Sequence, residues 1–374
     1  MKILVTGGAG FIGSFLVDEL IRQGHQVRIY DNLSPQVHGP RQSPPAYLNK
    51  DAEFINKDIL DRDSLYKALK DVDVLFHLAA MVGVAQSMYQ VYDYVQVNTL
   101  GTALIQDIIA NEKHKIKKML VASSMTMYSE GRYECGDCGI VCPPLRPYEQ
   151  LKDKDWFMHC PKCSKKLRPI ATDETKPLNP RSVYSITKKD QEELFLSVGR
   201  TYDIPATALR FFNVYGPRQA LSNPYTGVCA IFSSRILNNH NPVLYEDGLQ
   251  TRDFIHVKDV VRAAILAMES KEADYGVFNV GSGRPIEILK IAEILIDRLK
   301  ANETITPELK GHFRKGDIRH CFADTTRIKK ALGFEPEIAF EDGIDDLTAW
   351  VKKQSCEDKV DIAIKELEDK GLAE

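Results

Sequence analysis

The sequence predicts an α/β fold in which helices cover both faces of a doubly wound parallel sheet. Three observations support this prediction. Short apolar runs of strand length recur through the first half of the 374-residue chain, and each is followed by a segment with helical periodicity. The first run leads directly into a glycine-rich turn. Strands and helices that alternate in this way form βαβ units, whose parallel strands are buried on both faces.

The composition is that of a globular protein and excludes several classes of function. Hydrophobic residues form 44% of the chain, charged residues form 27%, and the net charge of −3 provides no overall field to attract nucleic acid or a membrane. We find no apolar run of about 18 residues that would span a bilayer. The chain starts on the strand-like run 2–5, which leaves no room for a signal peptide, so we expect a cytoplasmic protein. Thiols stay reduced there, and the eight cysteines are expected to be metal ligands or core residues.

The first strand, residues 2–6, leads into the glycine turn and then into an amphipathic helix. Gly7, Gly10 and Gly13 have the spacing that allows a tight turn and a close approach of the backbone to a pyrophosphate. The second strand ends at Asp31, about 20 residues further on, where a carboxylate binds the adenosine ribose hydroxyls. A carboxylate at that position also repels a 2′-phosphate. The pattern therefore predicts a Rossmann-type dinucleotide site that takes NAD rather than NADP.

Two further strands continue the alternation. Residues 53–55 and 72–77 have the apolar character of buried strands, and a helix is predicted between them near 61–70. Small residues at 78–80 follow the second of these strands and would leave space for a cofactor, although close helix packing is the alternative. His77, at the end of the same strand, is expected to be structural rather than catalytic.

Hydroxyl side chains follow the next strand. A helix near 90–112 precedes the strand 118–122, after which come Ser123 and Ser124. Hydroxyls at the carboxyl end of a central strand lie where open α/β sheets bind ligands. Ser124 is therefore predicted to hydrogen-bond a substrate oxygen, with a capping role as the alternative.

Tyr184 and Lys188 have the spacing that places a phenol and an ammonium on one face of a helix, about 5–6 Å apart at Cβ. A free tyrosine, with a pKa near ~10, is a poor base unless a neighbouring positive charge stabilises its phenolate. The same spacing also begins at Tyr66 and at Tyr148. The pair therefore indicates a catalytic base only in the context of the predicted dinucleotide site.

As an ordered set, these motifs resemble the extended short-chain dehydrogenases/reductases, and within them the NAD-dependent nucleotide-sugar epimerases and dehydratases. The resemblance covers nearly the whole chain except residues of about 129–170. It implies that Ser124, Tyr184 and Lys188 are catalytic. The residues that it implies for the binding of NAD are Gly7, Gly10, Phe11, Ile12, Gly13, Asp31, Asn32, Asp58, Ile59, Leu78, Ala79, Ala80, Tyr184 and Lys188.

The resemblance continues into a predicted second lobe. The segment 211–218 resembles the turn that leads into this lobe, and Asn213 resembles a residue that binds the substrate diphosphate. Two arginines resemble residues that hold the same diphosphate through bidentate hydrogen bonds, and an aspartate resembles one that holds the nucleoside ribose. The alternative for each arginine is a solvated surface charge. The substrate-binding residues implied are Val82, Ser124, Met125, Thr126, Asn213, Arg252, Arg314 and Asp317.

The implied reaction begins when the Tyr184 phenolate takes a proton from a sugar hydroxyl and the carbinol hydride leaves for the cofactor. In the resembling 4,6-dehydratases, an acidic pair follows the position of Ser124. Here these positions hold Met125 and Thr126, so dehydration is not expected. Return of the hydride to the other face of the keto-sugar would invert the 4-carbon, and the tightly bound NAD would be regenerated. Another keto-sugar oxidoreductase and a non-catalytic NAD-binding regulator remain alternatives.

The segment 80–90 bears on the sugar. It is apolar and resembles dTDP-L-rhamnose 4-epimerases more than UDP-galactose 4-epimerases. A 6-deoxy sugar has a methyl group that would lie against Met81 or Val82. We therefore expect dTDP-L-rhamnose first, with a UDP-glucose/UDP-galactose reaction as the alternative. The resemblance also implies a homodimer.

The segment between Ser124 and Tyr184 is 59 residues long, whereas the resembling family spans this gap with a short loop. It contains two Cys-x-x-Cys turns separated by 21 residues. Each such turn directs two thiolates at one tetrahedral ion, so the spacing predicts a zinc-ribbon insertion with a closed, structural metal site. The predicted ligands are Cys135, Cys138, Cys160 and Cys163.

Other interpretations of the insertion stay open. The cysteines could form a disulfide or redox pair or hold iron, and Cys142 or His159 could replace a ligand. Because the insertion connects Ser124 with Tyr184, it emerges beside the predicted site and could be a lid, a wall of the sugar pocket or a subunit contact. Its lysines are offset by acids, so nucleic-acid binding is not expected.

The predicted domain organisation follows from these motifs. An NAD-binding domain occupies 1–212 and is interrupted by the insertion at 129–170. Residues 213–354 form mainly the substrate-binding, mixed α/β lobe, parts of which cross back onto the first domain, and 355–374 form a peripheral helix. Helices of the second lobe are predicted near 258–270, 287–300, 325–332 and 341–353.

Overall fold

The structure, a computed structural model, describes residues 1–40 and 43–374 of the chain. Its strands are β1 (Lys2–Thr6), β2 (Gln26–Asp31), β3 (Glu53–Asn56), β4 (Val74–His77), β5 (Lys118–Ser124), β6 (Arg132–Cys135), β7 (Gly139–Val141), β8 (Arg168–Ile170), β9 (Ala206–Phe211), β10 (Asn213–Tyr215), β11 (Val243–Leu244), β12 (Thr251–His256), β13 (Val277–Val280), β14 (Pro285–Glu287), β15 (Glu308–Leu309) and β16 (His320–Cys321). Its α-helices are α1 (Phe11–Arg22), α2 (Pro35–His38), α3 (Arg62–Leu69), α4 (Val84–Ser87), α5 (Val91–Tyr94), α6 (Gly101–Asn111), α7 (Tyr148–Lys152), α8 (Val183–Thr201), α9 (Val228–Leu237), α10 (Val257–Glu269), α11 (Ile288–Leu299), α12 (Thr326–Leu332), α13 (Phe340–Val351) and α14 (Val360–Asp369).

Seven parallel strands form the central sheet, in the order β13-β9-β5-β4-β1-β2-β3. The strand β1 lies between β2 and β4, so the chain builds the sheet outward in both directions from β1. A crevice forms at the carboxyl ends of the strands where the order reverses, and open α/β sheets bind their ligands there. The predicted α/β fold with a large parallel, Rossmann-type sheet is confirmed.

Two hydrophobic layers cover the faces of this sheet. On one face, Leu16 of α1 and Val260 of α10 belong to the same buried cluster. On the other face, Leu65 of α3, Ile105 of α6 and Phe195 of α8 form a second cluster. Each of these five side chains is fully buried, a change worth about 1.5–3 kcal/mol for a side chain of this size. Burial on both faces explains why the strands are near-continuous apolar runs in the sequence.

The helix predicted near 90–112 is interrupted. The helix α5 passes into a π-helical segment, Val95–Leu100, before α6 begins. Within it the buried Asn98 side chain accepts a hydrogen bond from the Met81 backbone N–H (2.7 Å) and donates one to Thr187 Oγ1 (3.0 Å). At the start of α6, a Cβ on Gly101 would lie 2.6 Å from the Ile59 side chain. Through Asn98, the π-helical turn contacts the segment after β4, which contains Met81, and the helix α8, which contains Thr187. Turns of this kind occur often at functional sites.

A second lobe follows β9. Its sheet has the order β10-β12-β14, with β16 also paired to β12, and its core lies between α9, α11 and α13. The chain also returns to the large sheet after residue 213, because β13 pairs with β9 and α10 packs beside α1. Among the described residues, none of the helices combines the length and the apolar character needed to cross a membrane.

The insertion has a small sheet of its own, in the antiparallel order β7-β6-β8. Its core contains the buried residues Tyr133, Cys135, Val141, Met158 and Cys160. A core of this size is too small to stabilise an independent domain. The insertion therefore depends on its attachment to the rest of the protein or on a cross-link.

Candidate active site

The glycine turn lies against the end of β4. Gly7 has a φ of +70°, and a Cβ at this position would lie 2.8 Å from the Ala79 backbone nitrogen. A Cβ at Gly13 would lie 2.2 Å from the Gly7 carbonyl oxygen. Both positions therefore need glycine. Gly10 caps α1 with its backbone alone, so the first amides of this helix, which include those of Phe11 and Ile12, are available to an anion.

Two carboxylates border the glycine turn at the ends of β2 and β3. Asp31 Oδ2 accepts a hydrogen bond from the Ala9 backbone N–H (3.0 Å), which fixes this carboxylate beside the turn. Asp58 Oδ2 accepts one from the Asn32 side chain (2.8 Å), and Ile59 follows with its side chain buried against Gly101. The turn, the helix amides and the two acids fit NAD: Asp31 would accept from its ribose hydroxyls, and the amides would hold its pyrophosphate.

The first turn of α8 carries Tyr184 and places Lys188 one turn later. Ser182 Oγ accepts from the Ser185 N–H (3.1 Å), and Ser185 Oγ accepts from the Ser182 N–H (2.9 Å), which is a capping box that fixes where the helix begins. The Tyr184 N–H donates to Ser87 Oγ (3.0 Å). The predicted pair thus lies at a helix end whose position is fixed by several hydrogen bonds.

Burial sets the charge states of this pair. Burial raises the pKa of Tyr184, and its hydrogen bond with Ser124 opposes that rise. Burial lowers the pKa of Lys188 to about 7, and the nearby Glu192 opposes that fall. A phenolate next to this ammonium would stabilise the charged form of the lysine, and the lysine would in turn stabilise the phenolate. The two groups therefore favour each other's catalytic charge state.

A buried hydrogen-bond chain behind Lys188 was not predicted from the sequence. Lys188 Nζ donates to Gln191 Oε1 at 2.5 Å, and Gln191 Nε2 lies 2.9 Å from Thr102 Oγ1 and 3.0 Å from His77 Nε2. His77 Nδ1 is 2.8 Å from Thr6 Oγ1. Burial lowers the pKa of His77 to about 3, so its imidazole is neutral and structural, as the sequence predicted. The one sequence clue was that Gln191 lies three residues after Lys188, on the same helical face.

The chain from Lys188 also reaches the small residues after β4. Gln191 Nε2 lies 3.4 Å from the Ala79 carbonyl oxygen. Leu78 packs partly against the core on one face of the sheet and Ala79 partly against the core on the other, while Ala80 is half-exposed. The structure therefore brings together the glycine turn, the small residues and the Tyr184/Lys188 helix.

The residues after β5 differ in exposure. Ser124 Oγ is 2.9 Å from Thr126 Oγ1 and accepts from the Thr126 N–H (3.2 Å). Met125 is only 5% exposed and packs with Tyr128 and Phe212. The hydroxyls of Ser124 and Thr126 therefore lie side by side at the end of β5, and the Met125 thioether is buried. Val82, which the resemblance implies for substrate binding, is 42% exposed, and its carbonyl oxygen accepts from the Tyr94 hydroxyl (2.8 Å).

The three charged residues predicted to hold the substrate diphosphate and ribose lie together. Arg314 Nη2 donates to Asp317 Oδ2 (2.8 Å), and Arg252 Nη2 lies 3.4 Å from Asp317 Oδ1. Arg252 also donates to the carbonyl oxygens of residues 318 and 319, so part of its guanidinium supports this segment. Burial alone would raise the pKa of Asp317, but Arg314 and Arg252 hold it below its ordinary value. Asn213 Oδ1 is buried and, in the described part of the chain, lacks a hydrogen-bond partner.

The four predicted cysteine ligands converge in the insertion. Their sulfur atoms all lie within 4.8 Å of one another, and Cys135 Sγ is 3.5 Å from Cys163 Sγ. Four thiolates around one zinc ion, at about 2.3 Å each, are separated from one another by slightly less than 4 Å. Cys142 is exposed outside this group, and His159 Nε2 bonds Asp155 instead (2.6 Å). None of these four cysteines forms a disulfide in the structure, and their sulfur atoms are close enough together to bind one metal ion.

Comparisons with known proteins agree with this geometry. The model of the NAD dependent epimerase/dehydratase family matches residues 3–152, and that of GDP-mannose 4,6 dehydratase matches residues 166–347. The chain is 35% identical to a dTDP-L-rhamnose 4-epimerase of Burkholderia thailandensis, over 94% of this chain and 95% of that protein. It is 34% identical to a putative UDP-glucose 4-epimerase of Methanocaldococcus jannaschii, over 94% and 99%.

Solved structures give the same result. A UDP-glucose 4-epimerase of Thermotoga maritima, crystallised with UDP-glucose, has a TM-score of 0.74 and 31% identity, with coverage of 94% of this chain and 99% of that chain. A UDP-glucuronic acid 4-epimerase of Bacillus cereus, in complex with UDP-glucuronic acid and NAD, has a TM-score of 0.75 and 25% identity over the same shares. The resemblance seen in the sequence is confirmed, and the chain belongs to the NAD-dependent epimerase/dehydratase family.

Proposed function

We propose that the protein is an NAD-dependent nucleotide-sugar 4-epimerase that acts through a transient 4-keto sugar. The observation that carries this proposal is the buried set of Ser124, Tyr184 and Lys188 beside the glycine turn. A protein that only bound NAD would not need a base in contact with the substrate. The relatives described above, several of which are named as 4-epimerases, support the same assignment.

The residues act in the following way. Ser124 holds the oxygen of the sugar 4-hydroxyl, and Tyr184, as the phenolate, takes its proton. Lys188 stabilises the phenolate and is itself held by Gln191. NAD, when bound, would supply the hydride acceptor and a positive charge that opposes the rise in the pKa of Tyr184 caused by burial. After the keto-sugar turns in the pocket, Tyr184 would return the proton to the 4-oxygen, and the reduced cofactor would supply the hydride to the other face.

The side chains after Ser124 support epimerisation over dehydration. Elimination of water from the keto-sugar needs an acid and a base beside the 5- and 6-carbons. Met125 is packed beneath the site, and Thr126 is bonded to Ser124. Neither side chain ionises near neutral pH. Return of the hydride is the remaining outcome that needs no further catalytic group.

For the substrate we propose dTDP-L-rhamnose first and a UDP-hexose second. Val82 is exposed beside the π-helical turn, and its carbonyl is fixed by the Tyr94 hydroxyl (2.8 Å). An apolar side chain here suits the methyl group of a 6-deoxy sugar. On the nucleotide side, Asn213, Arg252 and Arg314 would bind the diphosphate and Asp317 the ribose. The Asn213 Nδ2–H groups would donate to the diphosphate, and its buried Oδ1, which has no hydrogen-bond partner among the described residues, would accept from a sugar hydroxyl.

The wider organisation is also proposed. We assign 1–212 to the NAD-binding domain, 213–354 mainly to the substrate lobe and 355–374 to a peripheral helix. The insertion at 129–170 is proposed to be a zinc ribbon, in which four converging cysteines hold a structural ion. The compact thiolate group supports this assignment, because it leaves no open coordination position. A cytoplasmic location and a homodimer remain predictions from the sequence.

Proton NMR of the sugar 4-carbon position tests the function. The purified protein is incubated with dTDP-L-rhamnose and, separately, with UDP-glucose, without added NAD. Inversion at the 4-carbon with the first substrate would support reaction, retained cofactor and sugar together. Inversion only with UDP-glucose would keep the reaction and reject the deoxy sugar. Consumption of free NAD in proportion to product would instead identify a net oxidoreductase.

A further inference from the structure

We propose that the cysteine-bearing insertion is a clamp on the substrate segment, defined as residues 313–320, and that a bound metal ion keeps this clamp in shape. The substrate segment carries Arg314 and Asp317, so the inference rests on the proposed function of these residues in nucleotide binding. It goes beyond that function because it gives the insertion a role in substrate affinity. Three groups of contacts carry it, and each involves residues that the catalytic set does not use.

The first contact is a buried ion-pair network. Both Nη atoms of Arg146, in the insertion, donate to the two carboxylate oxygens of Glu246 at 2.8 Å. Arg319 of the substrate segment donates to the same Glu246 (2.8 Å) and to both oxygens of Asp247. The side chains of Arg146, Glu246 and Arg319 are only 1–4% exposed. Separating such a buried ion pair costs much free energy, because the remaining charge is then unpaired and shielded from water.

The second contact is a carboxylate at the start of the insertion. Glu130 is 1% exposed, and its two oxygens accept the backbone N–H groups of Arg319 and His320, both at 2.8 Å. The Tyr133 hydroxyl donates to the same carboxylate (2.5 Å). A Cβ on Gly131 would lie 2.6 Å from the His320 carbonyl oxygen. The insertion and the substrate segment are therefore in direct backbone contact here.

The third contact is an apolar one at the other end of the segment. Leu151 and Trp156 of the insertion form a buried cluster with Phe313. The Trp156 and Phe313 ring centroids are 6.3 Å apart. The backbone of Phe313 also forms hydrogen bonds with the backbone of Glu374. The Glu374 side chain accepts a hydrogen bond from the Tyr148 hydroxyl of the insertion (2.6 Å). The C-terminal residue of the chain therefore contacts both the substrate segment and the insertion.

The cysteine group stabilises the parts of the insertion that make these contacts. Cys135 follows Tyr133 on β6, and both belong to the small core of the insertion with Met158 and Cys160. Trp156 lies two residues before Met158 on the same chain segment. This core is too small to be stable alone, and a metal ion bound by four thiolates supplies the missing cross-link.

The catalytic side is anchored separately. The Tyr128 hydroxyl, four residues after Ser124, donates to Asn279 Oδ1 (2.7 Å), and Lys176 Nζ donates to the Tyr128 carbonyl oxygen (2.8 Å). These contacts attach both ends of the insertion to the region of the large sheet. Loosening the ribbon would therefore weaken nucleotide binding while Tyr184 keeps its position. The expected kinetic result is a raised KM with an unchanged kcat.

The test uses the full-length protein and three variants. Cys163→Ser removes a metal ligand, and Arg146→Met removes the ion pair but keeps the metal. Cys142→Ser is the matched control, because Cys142 is exposed outside the cysteine group. Metal content is measured by elemental mass spectrometry and NAD content by absorbance. Affinity for dTDP and UDP is measured by calorimetry, and the mobility of the substrate segment by amide hydrogen exchange.

We expect zinc in the wild-type protein and in Cys142→Ser. In Cys163→Ser and Arg146→Met we expect faster exchange at 313–320 and at least about tenfold weaker binding of the nucleoside diphosphate, which corresponds to about 1.4 kcal/mol, with NAD content unchanged. Absence of metal from the wild-type protein, or unchanged exchange and affinity in Arg146→Met, would overturn the proposal. Since exchange needs no substrate, the clamp is tested even if no sugar is epimerised. A protein that epimerises no sugar but shows the expected changes in exchange would count against the proposed function and not against the clamp.

Discussion

The cofactor side and the substrate side of the site are held together by different interactions. On the cofactor side, backbone segments lie too close together for a side chain: Gly7 lies against Ala79, and Gly13 of α1 lies against Gly7. On the substrate side, buried ion pairs join distant parts of the chain, as between Arg146 and Glu246. Backbone contact excludes larger side chains but depends on no charged partner. A buried ion pair is stable only while every partner is present.

This difference implies that the two sides fail independently. A change in the insertion should weaken binding of the nucleotide sugar and leave NAD in place. A change in the glycine turn should release NAD and leave the ion pairs intact. Tyr184, the proposed base, lies between the two sides, on a helix whose capping box is independent of both. A change of Tyr184 should therefore affect turnover alone.

The largest effect is expected for Tyr184→Phe. Loss of the phenol removes the only proton acceptor assigned to the sugar hydroxyl, so kcat should fall by about 10²–10⁴-fold. The NAD content and the affinity for dTDP should stay as in the wild-type protein, because neither side of the comparison is changed. Turnover is measured by the NMR assay at saturating substrate. A variant that retained full activity would show that another residue is the base.

The next largest effect is expected for Glu246→Gln, which should lower the free energy of unfolding. The neutral amide leaves the guanidinium groups of Arg146 and Arg319 without their shared charge, which costs about 3–5 kcal/mol for a buried pair. Thermal unfolding measures the change. Asp247→Asn is the matched control: Asp247 pairs with the same Arg319, but its side chain is 29% exposed, so the loss should stay below about 1 kcal/mol. Equal losses in the two variants would argue against the importance of burial on the substrate side.

The features that could be predicted from the sequence are those encoded locally. The glycine turn, Asp31 and the Tyr184/Lys188 pair each lie within one strand, turn or helix, and period and spacing identify them. The cysteine group is similar, because each half is a short turn. Fold class and family followed from the order of these local motifs along the chain.

The remaining features depend on tertiary contacts. Glu246 and Arg146 are 100 residues apart, and neither has a local motif that indicates burial. Charged residues are mostly exposed, so residue type alone does not indicate that either one is buried. The π-helical turn was not predicted either, because its Asn98 is satisfied by Met81 and Thr187 from other segments. A single sequence does not reveal which distant polar groups become partners.

Gly13→Ala tests the cofactor side directly. The added Cβ would lie 2.2 Å from the Gly7 carbonyl oxygen, a backbone atom that cannot rotate away, so the turn must shift. We expect a stability cost of about 1–3 kcal/mol and loss of most of the copurified NAD. Gly10→Ala is the graded control, since its nearest contact would be 3.3 Å. The affinity for dTDP and the metal content should not change. If Gly13→Ala lost metal or nucleotide affinity as well, the two sides would not be independent.

The smallest effect is expected at Gln191, whose side chain accepts the hydrogen bond of Lys188. The charged groups near Lys188 are Glu192, which raises the pKa of this lysine, and the Tyr184 phenolate; His77 is neutral because burial lowers its pKa to about 3. Gln191→Leu removes an acceptor from the ammonium, so the pKa of Lys188 should fall further below about 7.

In the proposed mechanism Lys188 is protonated, so we expect activity below its pKa in the complex and a loss of activity as the pH rises through that pKa. The alkaline limb of the kcat profile should therefore move to lower pH in Gln191→Leu, by about one unit or less. Gln191→Glu is the matched opposite: a carboxylate raises the pKa of Lys188, and the limb should move to higher pH. Because Gln191 lies on the cofactor side of the cleft, dTDP affinity should be unchanged in both variants. Profiles that coincide with the wild-type curve would mean that Gln191 only fills space behind the lysine.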